Sequence, residues 1–381
     1  MINWTLKQID ETLDYIQPTK YIVKSTDYDD SFETPVLTPG KSFILGKTNE
    51  KEGIFFDVPV IIFDDFTTAF KYVDFPFKVK SSAMKILTTK TEDYDIKFLF
   101  YLMSTIKYEA DEHKRYWISK YSKQSIKVPN LSIQKRIAEI LDAADAYRQK
   151  TKALINKYDE LAQSLFIDMF GDPVTNPKGW ENCTLPQLVS KDKYSLKRGP
   201  FGGALKKSIF VESGYLVYEQ YHALNDDFSF GRYFIDSNKF QELEAFEVKS
   251  DDIIVSCSGV YMGKLAIVPK DAEKGIINQA LLKITLDQTK MTNTFFVTLF
   301  RFQPFLEKLL GDTRGSGIPN FPPMSIVKKF PFPTPPLKLQ NEFTVMRDKI
   351  ENQKQLATRN LKYAEELFQS LLQKAFKGEL V

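Results

Sequence analysis

The chain is poor in the side chains that metal and nucleophilic chemistry use most. Among 381 residues there are two cysteines, Cys183 and Cys257, and two histidines, His113 and His222. Two thiols cannot build a zinc site alone, and nothing suggests a disulfide framework. The histidines fall in different parts of the chain, with no evident nucleophile partner. Long hydrophobic runs are also missing, so no membrane span is expected. Met1 to Tyr15 lacks the charged-then-apolar order of a signal peptide, which makes the cytoplasm the expected location. Charge of one sign is scarce as well: a formal net charge of +3 is too small to imply nucleic acid by itself.

Apolar and aromatic residues are plentiful. Hydrophobic residues make up 43% of the chain and aromatics 14%, with 31 Phe and 18 Tyr, so large and well-filled cores are expected. The length exceeds what one compact core usually takes, and two domains are the starting expectation.

Repeats support that count. The stretch 129–170 aligns without gaps on 335–376, at a constant offset of 206. Pro129, Leu131, Gln134, Asp142 and Gln149 recur as Pro335, Leu337, Gln340, Asp348 and Gln355, and Glu160-Leu161-Ala162-Gln163-Ser164-Leu165 recurs as Glu366-Leu367-Phe368-Gln369-Ser370-Leu371. The start of the chain, Asn3 to Ile9, aligns with Asn182 to Leu188 at an offset of 179, so the second copy is longer by 27 residues. Fainter echoes follow in order: 60–63 with 252–255, 83–86 with 280–284, and 98–102 with 295–299. The chain is a tandem duplication of a globular module followed by a long periodic segment.

The periodic segments read as helices. Apolar or small residues recur at alternating steps of four and three, at Ile133, Ile137, Ile140, Ala144, Tyr147, Thr151, Leu154, Tyr158, Leu161 and Leu165. This spacing predicts a coiled-coil seam. The equivalent second series is Leu339, Phe343, Met346, Ile350, Gln353, Ala357, Asn360, Ala364, Leu367 and Leu371. Polar Gln353 and Asn360 suit a role in fixing register, and small Ala357 and Ala364 suit packing against Tyr147 and Tyr158. Pro129 and Pro335 stand just ahead of each helix, and Gly171 and Gly378 give stop signals. The expected fold class is α+β: two α/β modules alternating with two long helices that pair as an antiparallel coiled coil. Residues 1–128 form the first module, 129–172 the central helix, 173–181 a linker, 182–334 the second module and 335–381 the C-terminal helix.

Within the modules, strand-like runs (59–63, 75–80, 253–257, 265–268, 281–286) accompany one helical run each (96–106 and 294–309). Ahead of each long helix lies a basic, aromatic and small-residue segment. In the first module it runs from Lys114 through Arg115, Tyr116 and Trp117 to Lys120, Tyr121 and Lys123; in the second it is Thr313-Arg314-Gly315-Ser316-Gly317-Ile318-Pro319-Asn320-Phe321. Basic side chains suit phosphates, Ser, Asn and Tyr suit base edges, and glycine permits close backbone approach.

Three patterns imitate enzymes. Gly259-Val260-Tyr261-Met262-Gly263-Lys264-Leu265 resembles a phosphate-binding loop but is one residue short, with Leu where Ser or Thr would hold magnesium. Asn320-Phe321-Pro322-Pro323-Met324 resembles the Asn-Pro-Pro-aromatic motif of adenine methyltransferases with its prolines displaced. Asp226 or Asp227 with Glu247-Val248-Lys249 has the acidic pattern of a metal nuclease. None completes a catalytic constellation, so neither a catalytic residue nor a bound metal is expected.

The chain resembles the specificity subunit of Type I restriction–modification enzymes along essentially its whole length. The resemblance rests on the Pro-x-Leu-x-x-Gln entry to each helix and on the exit Leu161-x-Gln163-Ser164-Leu165-Phe166-x-x-Met169-Phe170-Gly171-Asp172-Pro173 with Asn176-Pro177-Lys178-Gly179-Trp180. Asp251 to Gly259, Gly263-Lys264 and Gly315-Ser316-Gly317-Ile318 look like second-module features of that family. The first module departs, with Phe63-Asp64-Asp65-Phe66-Thr67-Thr68 and Tyr116-Trp117 in the corresponding places. The resemblance implies a non-catalytic subunit whose modules each read half of an asymmetric, interrupted site in double-stranded DNA, with the helices as spacer. Two adenine-methyltransferase subunits and ATP-dependent restriction subunits would be its partners; S-adenosylmethionine, ATP and Mg2+ would bind those partners and not this chain.

Lys71, Lys80, Arg115, Tyr116, Lys120 and Tyr121 are the expected DNA contacts of the first module. Those of the second are Lys197, Arg198, Ser258, Lys264, Arg314, Gly315, Ser316, Gly317 and Asn320. Two other readings stay open: a paired-helix scaffold whose modules bind proteins, and a nuclease using Asp227, Glu247 and Lys249.

Overall fold

Both periodic segments are helical, as Leu131–Phe170 and Leu337–Lys377 of 40 and 41 residues. At 1.5 Å per residue each is about 60 Å long. The computed structural model describes residues 4–38, 42–106, 116–201, 203–311 and 321–380. The chain forms two compact units, Met1–Leu154 with Leu356–Val381, and Ile155–Gln355, so each unit holds one module and a stretch of both helices.

In the first unit the opening strand Thr5–Gln8 pairs antiparallel with Ser125–Val128, the strand that leads into the long helix. A four-stranded antiparallel sheet follows, in the order Leu13–Ile16, Met84–Thr89, Val60–Asp64, Phe70–Val73. A smaller sheet of Ile44–Thr48, Thr34–Leu37 and Lys78–Val79 contains one parallel pair. The helix Ile96–Ser104 is capped by Asp95, whose carboxylate accepts from the Phe98 N–H. Its Phe98, Leu99 and Leu102 meet Ile137, Ala138 and Leu141 of one long helix and Phe368, Leu372 and Ala375 of the other.

The second unit repeats this plan. Asn182–Thr184 pairs with Pro331–Pro333. The four-stranded sheet runs Leu196–Arg198, Leu281–Ile284, Ile253–Ser256, Leu265–Ile267. A second sheet again has a parallel pair, Tyr215–Tyr218 with Gly275–Ile277. The helical run read as 294–309 divides into Asn293–Arg301 and Gln303–Leu310, with Pro304 in the first turn of the latter. Proline lacks the N–H that would continue the ladder. Phe166 and Phe170 meet Phe295 and Phe343 there, with ring centroids 4.7–5.7 Å apart.

The long helices run antiparallel in each unit. In the first, Arg148 lies over the Phe368 ring at 4.4 Å and Lys152 pairs with Glu365 at 3.2 Å. In the second, Lys354 pairs with Asp159 at 2.6 Å, and Phe343 meets Phe166. The stripe of buried and half-buried residues differs from the expected seam by one residue at alternate positions. It keeps Ile137, Ala144, Thr151, Tyr158 and Leu165, but between them runs through Leu141, Arg148, Ile155, Ala162 and Met169. The second helix does the same, keeping Phe343, Ile350, Ala357, Ala364 and Leu371 and adding Arg347, Lys354, Leu361, Phe368 and Ala375.

The expected seam residues Tyr147, Leu154, Leu161, Met346 and Leu367 are exposed instead, while Ile140 is half-buried like much of the stripe. Arginine and lysine explain the displacement. Arg148, Arg347 and Lys354 occupy inner positions that a hydrophobic pattern skips, because their stems lie along apolar surface while their charged ends reach partners.

One contact joins module to helix in both units. Gln134 is buried; its side-chain carbonyl accepts from the Asp95 N–H at 2.9 Å, and its amide N–H groups donate to the carbonyls of Asp93 at 3.0 Å and Pro129 at 2.9 Å. Gln340 does the same with the Thr292 N–H at 2.9 Å and the carbonyls of Lys290 at 3.0 Å and Pro335 at 2.8 Å.

Gln340→Leu should strand these backbone groups and cost about 1–3 kcal/mol for each left buried and unpaired. Denaturant melts would report the loss, and hydrogen exchange at Thr292 should accelerate. Unchanged exchange there would contradict the role assigned to the amide. The displaced stripe makes a second test. Phe368→Ala should cost about 3–5 kcal/mol, whereas Leu161→Ala and Leu367→Ala, each about half exposed, should cost under about 1 kcal/mol. Equal losses in the three variants would restore the expected seam.

Candidate nucleic-acid interface

Strand direction gathers the candidate residues of the second module at one end of its four-stranded sheet. Leu196–Arg198 ends there, Leu281–Ile284 begins there, and Ile253–Ser256 turns there into Leu265–Ile267. Backbone bonds tie the segments together: Gly199 N–H to the Leu281 carbonyl at 2.9 Å, Cys257 N–H to the Ala280 carbonyl at 2.8 Å, and Phe321 N–H to the Cys257 carbonyl at 3.0 Å. The first module repeats two of these, with Asp65 N–H to Ala83 at 3.0 Å and Tyr116 N–H to Asp65 at 2.9 Å. In both modules the residue after the central strand therefore receives the chain that goes on to the long helix. Arg115, Arg314, Gly315, Ser316, Gly317 and Asn320 lie outside the described residues, as does His113.

The remaining expected contacts separate by burial. Lys264 and Lys71 are exposed. Lys120 is exposed with its ammonium 5.9 Å from the Tyr116 ring, and Lys80 is half-buried, 5.7 Å from the Tyr28 ring. Lys197 is half-buried, 5.0 Å from the Phe246 ring. Arg198 is half-buried, and its guanidinium donates to the Cys257 carbonyl at 3.4 Å. It braces the turn from beneath.

Ser258 is half-buried, with its backbone carbonyl accepting from Gln220. Gln220 was not singled out in the sequence. Its side-chain amide donates to Ser256 Oγ at 2.8 Å and to that carbonyl at 2.7 Å. No periodic signal marks it, because it starts a six-residue helix, Gln220–Asn225.

Tyr116 and Tyr121 are corrections. They are 3% and 1% exposed, too deep to meet a base edge or a phosphate. Tyr121 and Trp117 pack on Phe63, with centroids 4.9 and 5.0 Å from it. The basic-aromatic segment of the first module thus supplies core, since its rings cover the sheet. Asp65 anchors this core, accepting from the Trp117 N–H at 2.9 Å and pairing at 3.6 Å with Lys85, which is buried. The corresponding place in the second module holds Cys257.

Two of the three enzyme-like patterns find no support in the geometry; the third includes Asn320, outside the described residues. Gly259 to Leu265 turns between two antiparallel strands, not from a strand into a helix. Asp227 is held by Ser229 and Tyr221, and Glu247 pairs with Lys274 at 3.6 Å. Among the described residues no group of His, Cys, Asp or Glu could hold a metal ion. His222 is fully buried, accepting from the Glu219 N–H at Nδ1 and facing the Phe230 carbonyl with Nε2. No helix among the described residues is long and apolar enough to cross a membrane.

Comparison with known proteins fits this duplicated plan. A family model described as Type I restriction modification DNA specificity domain matches residues 1–158. The specificity subunit of the Type I restriction enzyme EcoR124I/EcoR124II from Escherichia coli is 48% identical over 216 residues. Over that stretch the chain is similar to a Type I specificity subunit. That match covers 48% of this chain and 54% of the relative, so the chain spans about half the length of the curated relative. The fold agrees with the crystal structure of a Type I restriction–modification S subunit from M. genitalium, at a TM-score of 0.61 and 14% identity over 98% of this chain and 96% of that one. A chain solved in work on complex assembly and conformational transition of the type I R-M system gives 0.57 at 15% identity, covering 100% of both.

Cys257 offers a probe of this sheet end. Burial pushes its thiol up to about 12, with Arg198 opposing only in part. Iodoacetamide at pH 8 should therefore modify half-buried Cys183 and spare Cys257, as read by peptide mass spectrometry. Alkylation of both at similar rates would mean that the turn over Cys257 opens.

Proposed function

We propose that this chain is the sequence-specific DNA-binding, non-catalytic subunit of a Type I restriction–modification complex. Each module reads one half of an asymmetric bipartite target in double-stranded DNA. The observation that carries the reading is the repeated frame: in both modules the same end of the four-stranded sheet joins the central turn to the chain that enters the long helix. Two readers built on one plan, with different residues at their turns, suit a target of two different halves. Exposed Lys264, Lys71 and Lys120 supply charge for phosphates, the contact that positions a protein on a duplex.

Two adenine-methyltransferase subunits and the restriction subunits are the proposed partners, with S-adenosylmethionine, ATP and Mg2+ bound by them. Tyr147, Leu154, Leu161, Met346 and Leu367 support docking of a protein on the long helices, because large apolar side chains left in solvent mark interaction surfaces. On this reading the helices bind proteins and the modules bind DNA, in contrast to the scaffold alternative, in which the modules bind proteins.

The test is an exchange of modules. Replacing residues 182–334 by the second module of another specificity subunit, expressed with the methyltransferase subunit, should change one half of the methylated sequence and leave the other intact. Methylome sequencing reads the result. A chimera that folds yet changes both halves, or neither, would end the claim of two independent readers.

A further inference from the structure

The glycine-rich segment that resembles a phosphate loop is deprived of that role by the fold, and its geometry suits another. Between the strands Ile253–Ser256 and Leu265–Ile267 the turn leaves two large side chains in solvent, Val260 at 84% exposure and Tyr261 at 60%. The turn is not slack. Gly259 and Gly263 have φ of 75° and 85°, and a Cβ on Gly263 would come within 2.8 Å of the Leu306 side chain. The Gly263 N–H donates to the Ser256 carbonyl at 2.8 Å, and the Gln220 amide holds Ser256 and Ser258 from one side.

Turns ordinarily carry Gly, Asn, Asp or Ser at their tips, so a braced tip of Val and Tyr gains nothing for folding. From Cys257 to Lys264 the segment has no acid and ends on an exposed lysine.

We propose that Val260 and Tyr261 read thymine 5-methyl groups in the major groove of the half-site taken by the second module. The proposal rests on the DNA-binding reading above and adds the chemistry of recognition. The thymine methyl is the apolar feature of the major-groove edge, and that groove admits a two-stranded β-ribbon. Lys264 beside the tip is placed for a phosphate, which fixes register without reading sequence.

The experiment uses the full chain assembled with its methyltransferase partner and a duplex selected by that assembly from a random-sequence library. Each thymine is replaced in turn by uracil, which removes only the methyl group. Wild type should lose about threefold to fivefold in affinity at one or two positions of a single half-site, the effect of one buried methyl. The double variant Val260→Ser, Tyr261→Ser should bind the thymine and uracil duplexes alike; both positions are exposed, and a thermal melt verifies its folding. Equal binding of thymine and uracil duplexes by wild type, or a selected target without thymine in either half, overturns the proposal and leaves the DNA-binding reading standing. Failure to select any duplex overturns both. A double variant that no longer assembles with the methyltransferase reassigns the tip to a protein contact and also overturns it.

Discussion

Each unit hangs on the primary amide of one buried glutamine. An amide side chain offers one strong acceptor and two donors, and Gln134 and Gln340 each spend both kinds on backbone groups of the module and the helix entry. A glutamate would lack the donors, and an asparagine would be one methylene short. The N–H that the amide satisfies belongs to the cap of the module's own helix, Asp95 or Thr292. The carbonyl it takes from Pro129 or Pro335 lies at the start of the long one. The glutamine therefore sits where the chain leaves the module, beside the core clusters that hold Ile137 and Phe98 in one unit and Phe343 and Phe295 in the other.

The frame of each module is held by backbone-to-backbone bonds. Asp65, Ala83 and Tyr116 in one module, and Cys257, Ala280 and Phe321 in the other, make equivalent N–H to carbonyl contacts with different side chains. Such bonds are indifferent to residue type, so the turns can change sequence without dismantling the sheet. The modules accordingly keep strand order while Asp65 and Lys85 form a buried ion pair in one, and Cys257 sits under a glycine-flanked hairpin in the other. A reader of variable targets needs this separation of frame from tip.

What could be read in the sequence follows the same division. The duplication, the long helices and the central strand of each module were legible because periodicity, proline and glycine report local backbone geometry directly, whereas other strands, such as Thr34–Leu37 and Tyr215–Tyr218, were not. The Pro-x-Leu-x-x-Gln entry was visible as a pattern, though its meaning required the three backbone partners. Tyr116 and Tyr121 were misplaced because a ring beside lysines and serines reads as a surface group, whereas here both are buried, Tyr121 against Phe63. Gln220 left no signal at all: a lone polar residue in a short helix gains its role only when distant Ser256 and Ser258 are brought to it. The interior stripe of the long helices was mistaken at alternate positions, where Arg148, Arg347 and Lys354 bury their stems.

That mistake has a physical content of its own. The long helices carry two apolar stripes one residue apart, and a hydrophobic pattern merges them. Phe343, Ala357, Ala364, Phe368 and Ala375 are buried in the antiparallel pairing, while Tyr147, Leu154 and Leu161 recur every seven residues in solvent. Seven-residue spacing keeps side chains on one helical face, so Tyr147 and Leu154 share the exposed side of the helix in the first unit. A helix packed along its whole length tolerates insertion or deletion poorly, because one extra residue turns every later side chain by about 100°, whereas a module is constrained only at its frame. The two helices of this chain therefore align without gaps over 42 residues, while the modules they follow differ in length by 27.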